Sequence, residues 1–334
     1  MNIYINSIKQ ISAQQPLSED WFNNPVMYNE PYIRAIEADY KQYLAPNVAR
    51  RLGKILKRAL LVSKQAMEES GVAQPEAIIT GTGLGCIENT EIFLEKLVRE
   101  GEELLNPTYF MQSTHNTISS LVAIDTKCHS YNSTYAHSGI SFECALQDAF
   151  IQLKTGKIKN ALVGAHDEMT PVYFEILKKS GYLGKPNQAF AGETAVAMLL
   201  ATEKSEKTLC TIEAVEKVYC NMRRATCDIA NHILEIANPD YIMIGTNGIE
   251  EHDKIYFENC AQLFPGVPLL QYKNIFGDGY TMPALGVYAA ATCLQKGEIP
   301  AHLFLGAKDT KKFNKILCYN QFEGKNHTFV LLSN

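Results

Sequence analysis

Leu153-Lys154-Thr155-Gly156-Lys157-Ile158, followed by Ala161-Leu162-Val163-Gly164-Ala165, is the stretch on which the fold turns. A helical run stops at a glycine, and a wholly apolar segment short enough for one buried strand follows. The same order returns at Leu294-Gln295-Lys296-Gly297-Glu298-Ile299 and Leu303-Phe304-Leu305-Gly306-Ala307. An internal echo of this kind points to a duplicated architecture.

Working outward, the echo extends to other blocks. A helix over roughly 58–79 leads into Ala77-Ile78-Ile79-Thr80-Gly81-Thr82-Gly83, and a second helix follows through Phe93, Leu94 and Leu97. Later, a helix through Ile229, Ile233 and Ile236 precedes Tyr241-Ile242-Met243-Ile244-Gly245-Thr246-Asn247, with a further helix through Tyr256 and Leu263. The apolar runs Thr194–Thr202 and His327–Leu332 close the two halves as strands buried on both faces. The expectation is an α/β, five-layered αβαβα unit of two similar halves, residues 1–205 and a shortened 206–334, with mainly parallel sheets. A generic α/β domain with chance glycine turns is the plainer alternative.

Composition narrows the function. The 334 residues are 46% hydrophobic and 20% charged, with a formal net charge of -5. That is globular, and it lacks the basic face of a nucleic-acid binder. Neither an export signal nor an apolar run of bilayer length is evident, so no membrane span and a cytoplasmic location are expected. Nine cysteines (Cys86, Cys128, Cys144, Cys210, Cys220, Cys227, Cys260, Cys293 and Cys318) stand singly, which argues for free thiols and no metal motif. His115 and His129 have no second ligand at metal-binding spacing, and Gly81 to Gly85 lacks a dinucleotide fingerprint. No cofactor is expected.

Ligands of such sheets bind at the carboxyl ends of strands. Three stretches qualify: Tyr131 to Gly139, Ile244 to Gly248, and Lys273 to Tyr280. Together with Gly81 to Gly85, Gly164 to Pro171, Ala191 to Ala195 and Phe322 to Asn326, their order resembles that of the β-ketoacyl synthases, which have the thiolase-like fold. In that family a cysteine at a helix start holds the acyl chain as a thioester, and two histidines assist decarboxylation.

Laid on this chain, the family's Thr-Ala-Cys-Ala-Ser-Gly motif falls on Thr134 to Gly139, which puts Ala136 at the nucleophile. Its His-Gly-Thr motif puts Ile244 at the first histidine, and its Lys-Ser-x-x-Gly-His motif retains Lys273 but puts Asp278 at the second. The resemblance is therefore to the chain-length-factor class, which lacks the cysteine and pairs with an active ketosynthase. It implies a heterodimer, with a homodimer as alternative, on which an acyl carrier protein docks. The stretches Gln112 to Thr117 and His129 to Glu143 look like proteins of aryl polyene and dialkylresorcinol pathways, and Met111 to Leu121 would face the dimer partner. The family's Gly-Phe-Gly-Gly gate resembles Gln321 to Gly324, making Phe322 a gate candidate.

Other residues have both sharp and plain readings. His137 as a base toward Ser138 or Ser133 would give a serine acyltransferase, yet neighbours in sequence rarely face each other. Cys144, inside a helix, reads as core rather than as a displaced nucleophile. Lys273 could organise a polar pocket with Asp278 and Glu193, or simply form a structural ion pair. The alternative function is a stand-alone acyltransferase or malonyl decarboxylase built on Asp278, Lys273 and His137.

Overall fold

The computed structural model describes residues 1–102, 105–219, 231–235, 238–308 and 311–334. Ile229 and Ile236 of the expected helix, and Cys220 and Cys227, lie outside the described residues. The strands are β1 (Ile3–Ile11), β2 (Ala77–Gly81), β3 (Tyr131–Tyr135), β4 (Asn160–Asp167), β5 (Thr194–Ala201), β6 (Cys210–Tyr219), β7 (Tyr241–Ile244), β8 (Leu269–Gln271), β9 (Lys315–Phe322) and β10 (Asn326–Ser333). The helices used below are α1 (Lys54–Ser70), α2 (Ile87–Glu100), α3 (Pro107–Gln112), α4 (Thr117–Thr126), α5 (Ser141–Lys154), α6 (Pro171–Lys179), α7 (Glu250–Leu263) and α8 (Pro283–Lys296).

The strand order is β3-β2-β4-β5-β1-β6-β10-β9-β7-β8. Read inward from each edge, the first five strands and the last five follow one pattern: β1 answers to β6, β2 to β7, and so on. Their directions repeat as well, with β2 parallel to β3 and β4, and β7 parallel to β8 and β9. The two sets meet where Ile3, Tyr4 and Ile5 pair antiparallel with Ile212, Thr211 and Cys210.

Side-chain alternation then separates the layers. Val196, Met198 and Leu200 of β5 and Val330 and Leu332 of β10 point to a shared central core. Ala195, Ala197 and Leu199 point outward to a core with α1 and α4. Phe329 and Leu331 point to a third core with α7. Helices α5 and α8 fill the middle layer, and α8 is buried on every side from Pro283 to Leu294. The result is the αβαβα stack of the thiolase-like fold.

Two expectations need correction. The sheets are mixed rather than mainly parallel, because β1, β5, β6 and β10 run antiparallel to their neighbours. Leu303 to Ala307 is not a strand. Pro300 leads into a 3-10 turn over Ala301–Leu303, and Gly306 takes φ +105°. The counterpart of β4 is instead β9, beginning at Lys315.

The β9–β10 connection is the three residues Glu323 to Lys325, in which the turn Phe322–Lys325 has positive φ at its two central residues, Glu323 and Gly324, the type I′ pattern, and is closed by the Lys325 N–H donating to the Phe322 carbonyl at 3.2 Å. Such type I′ turns suit the twist of a hairpin and favour Asn-Gly. Glutamate is a poor occupant of the left-handed region. Glu323→Asn is expected to stabilise the protein by about 0.5–1 kcal/mol, read as a higher denaturation midpoint with unchanged m-value.

Candidate functional site

The carboxyl ends of β7, β8 and β9 and the start of the α5 segment enclose a cavity of about 50 Å³, walled by Gly139, Gly245, Lys273, Asp278, Asn320 and Phe322 among others. That holds a few waters. A smaller space of about 10 Å³, lined by Glu143 and Tyr272, shares Pro283 and Asn320 with it.

Strand alternation explains the wall at β7. Tyr241 and Met243 face the central core, whereas Ile242 and Ile244 face the outer one. Ile244, expected at the site, is thus fully buried on the opposite side of the sheet. Gly245 is the residue that turns inward. A Cβ there would stand 2.8 Å from the Tyr256 hydroxyl, 3.1 Å from the Tyr272 hydroxyl and 3.2 Å from Lys273 Cε. Two phenols and a lysine stem already fill the space that a side chain would need.

At α5 the placement also differs from expectation. Ala136 is exposed and outside the wall. Gly139, three residues on, faces the cavity, and a Cβ there would lie 2.3 Å from the Phe322 ring. Its carbonyl accepts from Asn320 Nδ2 at 3.1 Å. Of the three expected positions, only Asp278 reaches the cavity.

Lys273 Nζ lies 2.7 Å from Asp278 Oδ1, and both are buried. Asp278 Oδ2 accepts from Asn247 Nδ2 at 2.8 Å, and Oδ1 from the Gly279 N–H at 3.0 Å. Both charges are therefore paired and hydrogen-bonded, as burial demands. Glu193 does not join them. Its carboxylate pairs with Arg58 at 2.9 Å and accepts from the Ala35 and Met169 amides, while Arg58 also reaches Glu37 at 2.6 Å.

Phe322, the gate candidate, lines the cavity, and the hydrogen-bonded turn after it holds its backbone. Its ring meets Tyr280 edge-on at 6.1 Å. His137 is exposed, with its N–H donating to Ser141 Oγ, and no carboxylate contacts its ring among the described residues. Cys144 is buried, with Lys217 Nζ donating to its sulfur at 3.3 Å, and burial raises its thiol pKa. The turn at Gly81 to Gly85 is occupied by the chain itself. Thr82 Oγ1 and the Gly83 and Leu84 amides donate to Asp167 at 2.8–3.0 Å, leaving no cradle for a phosphate. Among the described residues there is no cluster suited to a metal, and no helix is long and apolar enough to cross a membrane.

Glu143 went unnoticed in the sequence because nothing in its spacing marks it. It lies on α5 beneath the cavity, and Oε1 accepts from Asn320 Nδ2 at 2.7 Å and Thr328 Oγ1 at 2.9 Å, while Oε2 has no partner. Burial pushes its pKa up to about 7, against the lowering by these hydrogen bonds. Gly245, in contrast, was legible: the alternation of Tyr241 to Gly245 places it inward.

The geometry is that of a ketosynthase-type fold in which glycines at the carboxyl ends of the strands and the start of α5 meet aromatic rings. The family model described as beta-ketoacyl synthase, N-terminal domain, matches residues 21–237, and the chain belongs to that family. Among solved structures it is similar to the ishigamide ketosynthase/chain length factor, with a TM-score of 0.80 at 14% identity, covering 100% of this chain and 99% of that one. The ketosynthase ApeO in complex with its chain length factor ApeC from Xenorhabdus doucetiae gives a TM-score of 0.82 at 14% identity, covering 99% and 98%. A beta-ketoacyl synthase from Burkholderia phymatum STM815 gives 0.79 at 12%, covering 100% and 99%. No curated protein matches the chain.

Because the folded pKa of Glu143 lies above that of an unfolded glutamate, the native state holds a proton that the unfolded chain has released. Stability is then expected to fall as pH rises from about 4.5 to about 7, by up to about 3 kcal/mol from this group, and to level off above. Glu168, also pushed up to about 7 by burial, adds in the same direction. Denaturation at pH 5 and pH 8 checks this, and Glu143→Gln should remove its share of the difference. Lys273→Met, which strands Asp278, should cost about 3 kcal/mol or more, seen as a lower melting temperature.

Proposed function

We propose that the chain is a non-catalytic, chain-length-factor-like subunit that pairs with an active β-ketoacyl-carrier-protein synthase during fatty acid or polyketide-type chain elongation, with an acyl carrier protein docking on the pair. The observation that carries this reading is the lining of the cavity. Among the described residues its wall contains no thiol, and the ammonium it does contain, that of Lys273, is bound to Asp278. A wall made by this subunit would then bound a tunnel belonging to its partner.

Pairing has a candidate surface. Nothing pairs with the outer edge of β3 among the described residues, and every residue of β3 is at least partly exposed. An uncovered strand edge of this kind invites another strand. Nearby helices expose Phe110 (58%), Met111 (69%) and Ile124 (74%), apolar side chains of the sort that interfaces cover. Relatives of known structure include a ketosynthase with its chain length factor and a ketosynthase with an acyl-carrier protein, which supports the choice of partners. The rival reading, a stand-alone acyltransferase or decarboxylase, finds its groups apart or neutralised: His137 is on the surface, and Lys273 and Asp278 hold each other.

Co-expression with the ketosynthases of its gene neighbourhood should give a heterodimer by native mass spectrometry. Ile124→Glu should abolish it while lowering the unfolding free energy by no more than about 0.5 kcal/mol. A persistent homodimer that never alters product length would refute the reading. Malonyl-carrier turnover by the protein alone, sensitive to Asp278→Asn, would favour the enzyme.

A further inference from the structure

We propose that the small space where α5, β9 and the segment after β8 meet is a binding site for one internal water, held between Glu143 and Tyr272, which completes the hydrogen bonding of both. The site stands whether or not the chain pairs with a ketosynthase.

The two groups come from distant parts of the chain. Glu143 sits in the first turn of α5, and Tyr272 follows β8 at the start of the short helix Lys273–Phe276. Each is only 2% exposed. Each also ends in an atom without a partner among the described residues, Glu143 Oε2 and the Tyr272 hydroxyl. Both residues line the same space of about 10 Å³. A buried polar atom left unpaired bears the full cost of its desolvation, and a single occupant of that space relieves both.

Volume sets the size of the occupant. About 10 Å³ of probe space is close to what one water needs, and a molecule of several heavy atoms does not fit. Bonding sets its character. Oε1 of Glu143 accepts from Asn320 Nδ2 at 2.7 Å and from Thr328 Oγ1 at 2.9 Å, so the carboxyl proton belongs on Oε2. Burial, which pushes the pKa of this carboxyl up to about 7, agrees with that proton. Oε2 is then a donor, and the phenol is another. A water offers a lone pair to each and has protons left for Thr328 Oγ1 on the same wall, which gives about the three bonds usual for an internal water. The charge of Lys273, which acts on Glu143, disfavours a cation there. Other polar side chains of the wall are already engaged: Asn320 Nδ2 also donates to the Gly139 carbonyl at 3.1 Å, and the Tyr319 hydroxyl bonds Asn259 and His327.

The consequence reaches the larger cavity through Asn320. Its amide group holds Glu143 on one side and Gly139 on the other, while its Oδ1 accepts from the Tyr256 hydroxyl at 3.0 Å. A water on Oε2 is what lets an acid be buried here, and that acid orients the amide toward Gly139.

The test is a double-mutant cycle on the full chain, read by denaturant unfolding, together with a crystal structure at a resolution that shows ordered water. Tyr272→Phe and Glu143→Met should each lower the unfolding equilibrium's preference for the native state, and the two together should cost less than their sum, with a coupling of about fivefold or more in the equilibrium constant. Glu143→Gln, which places an amide donor where Oε2 stood, should keep the water and most of the coupling. Density should show one water within hydrogen-bond reach of Oε2 and the Tyr272 hydroxyl. Costs that add to within about twofold overturn the proposal, as does an empty space or a direct bond between Oε2 and the phenol. If Glu143→Met does not fold, the densities of wild type and Tyr272→Phe decide alone: a water present in the first and weakened or lost in the second supports the site, and any other result overturns it.

Discussion

Helix α8 has no solvent face. From Pro283 to Leu294 every residue is buried, and the composition allows it: Ala284, Gly286, Ala289, Ala290 and Ala291 keep the helix thin. A Cβ at Gly286 would already stand 2.8 Å from the Tyr272 ring. With α5 beside it, this helix is the surface on which both halves of the sheet lie, so the other layers take their spacing from it. Its first residue, Pro283, is part of the cavity wall. The site and the centre of the core are thus two ends of one element.

The duplication was legible because glycine-capped helix ends and apolar strands leave a periodic mark. Gly156 and Gly297 both take left-handed φ where the sequence placed helix ends. Strand direction was not legible. A strand buried on both faces reads as a plain apolar run whether its neighbours are parallel or antiparallel, so β5 and β10 gave no sign of their reversal. The false strand at Leu303 fails for a related reason: Leu303 fills the core as a strand residue would, but from a turn.

Residue-level placement of the site was harder. Motif alignment brought Asp278 and Lys273 to the cavity but missed at Ala136 and Ile244, each of which stands next to or near a glycine that does line it. Successive residues of a strand point to opposite faces, so Ile244 packs in the outer core while Gly245 faces the cavity. Glycines attract little notice as functional residues, since they offer no group. Here their lack of a side chain is what lets Tyr256, Tyr272 and Phe322 close the space.

Phe322 stands on the last residue of β9, immediately before a turn whose backbone is hydrogen-bonded to itself and to the Gln321 side chain. A ring mounted this way has no loop to swing on. Moving the backbone that carries the ring away from Gly139 requires the tip of the β9–β10 hairpin to unzip, a local unfolding event rather than a loop movement. Such a displacement would keep time with exchange of the Lys325 amide, which is bonded to the Phe322 carbonyl, and be far slower than the nanosecond rotamer motion of an aromatic ring free at a surface.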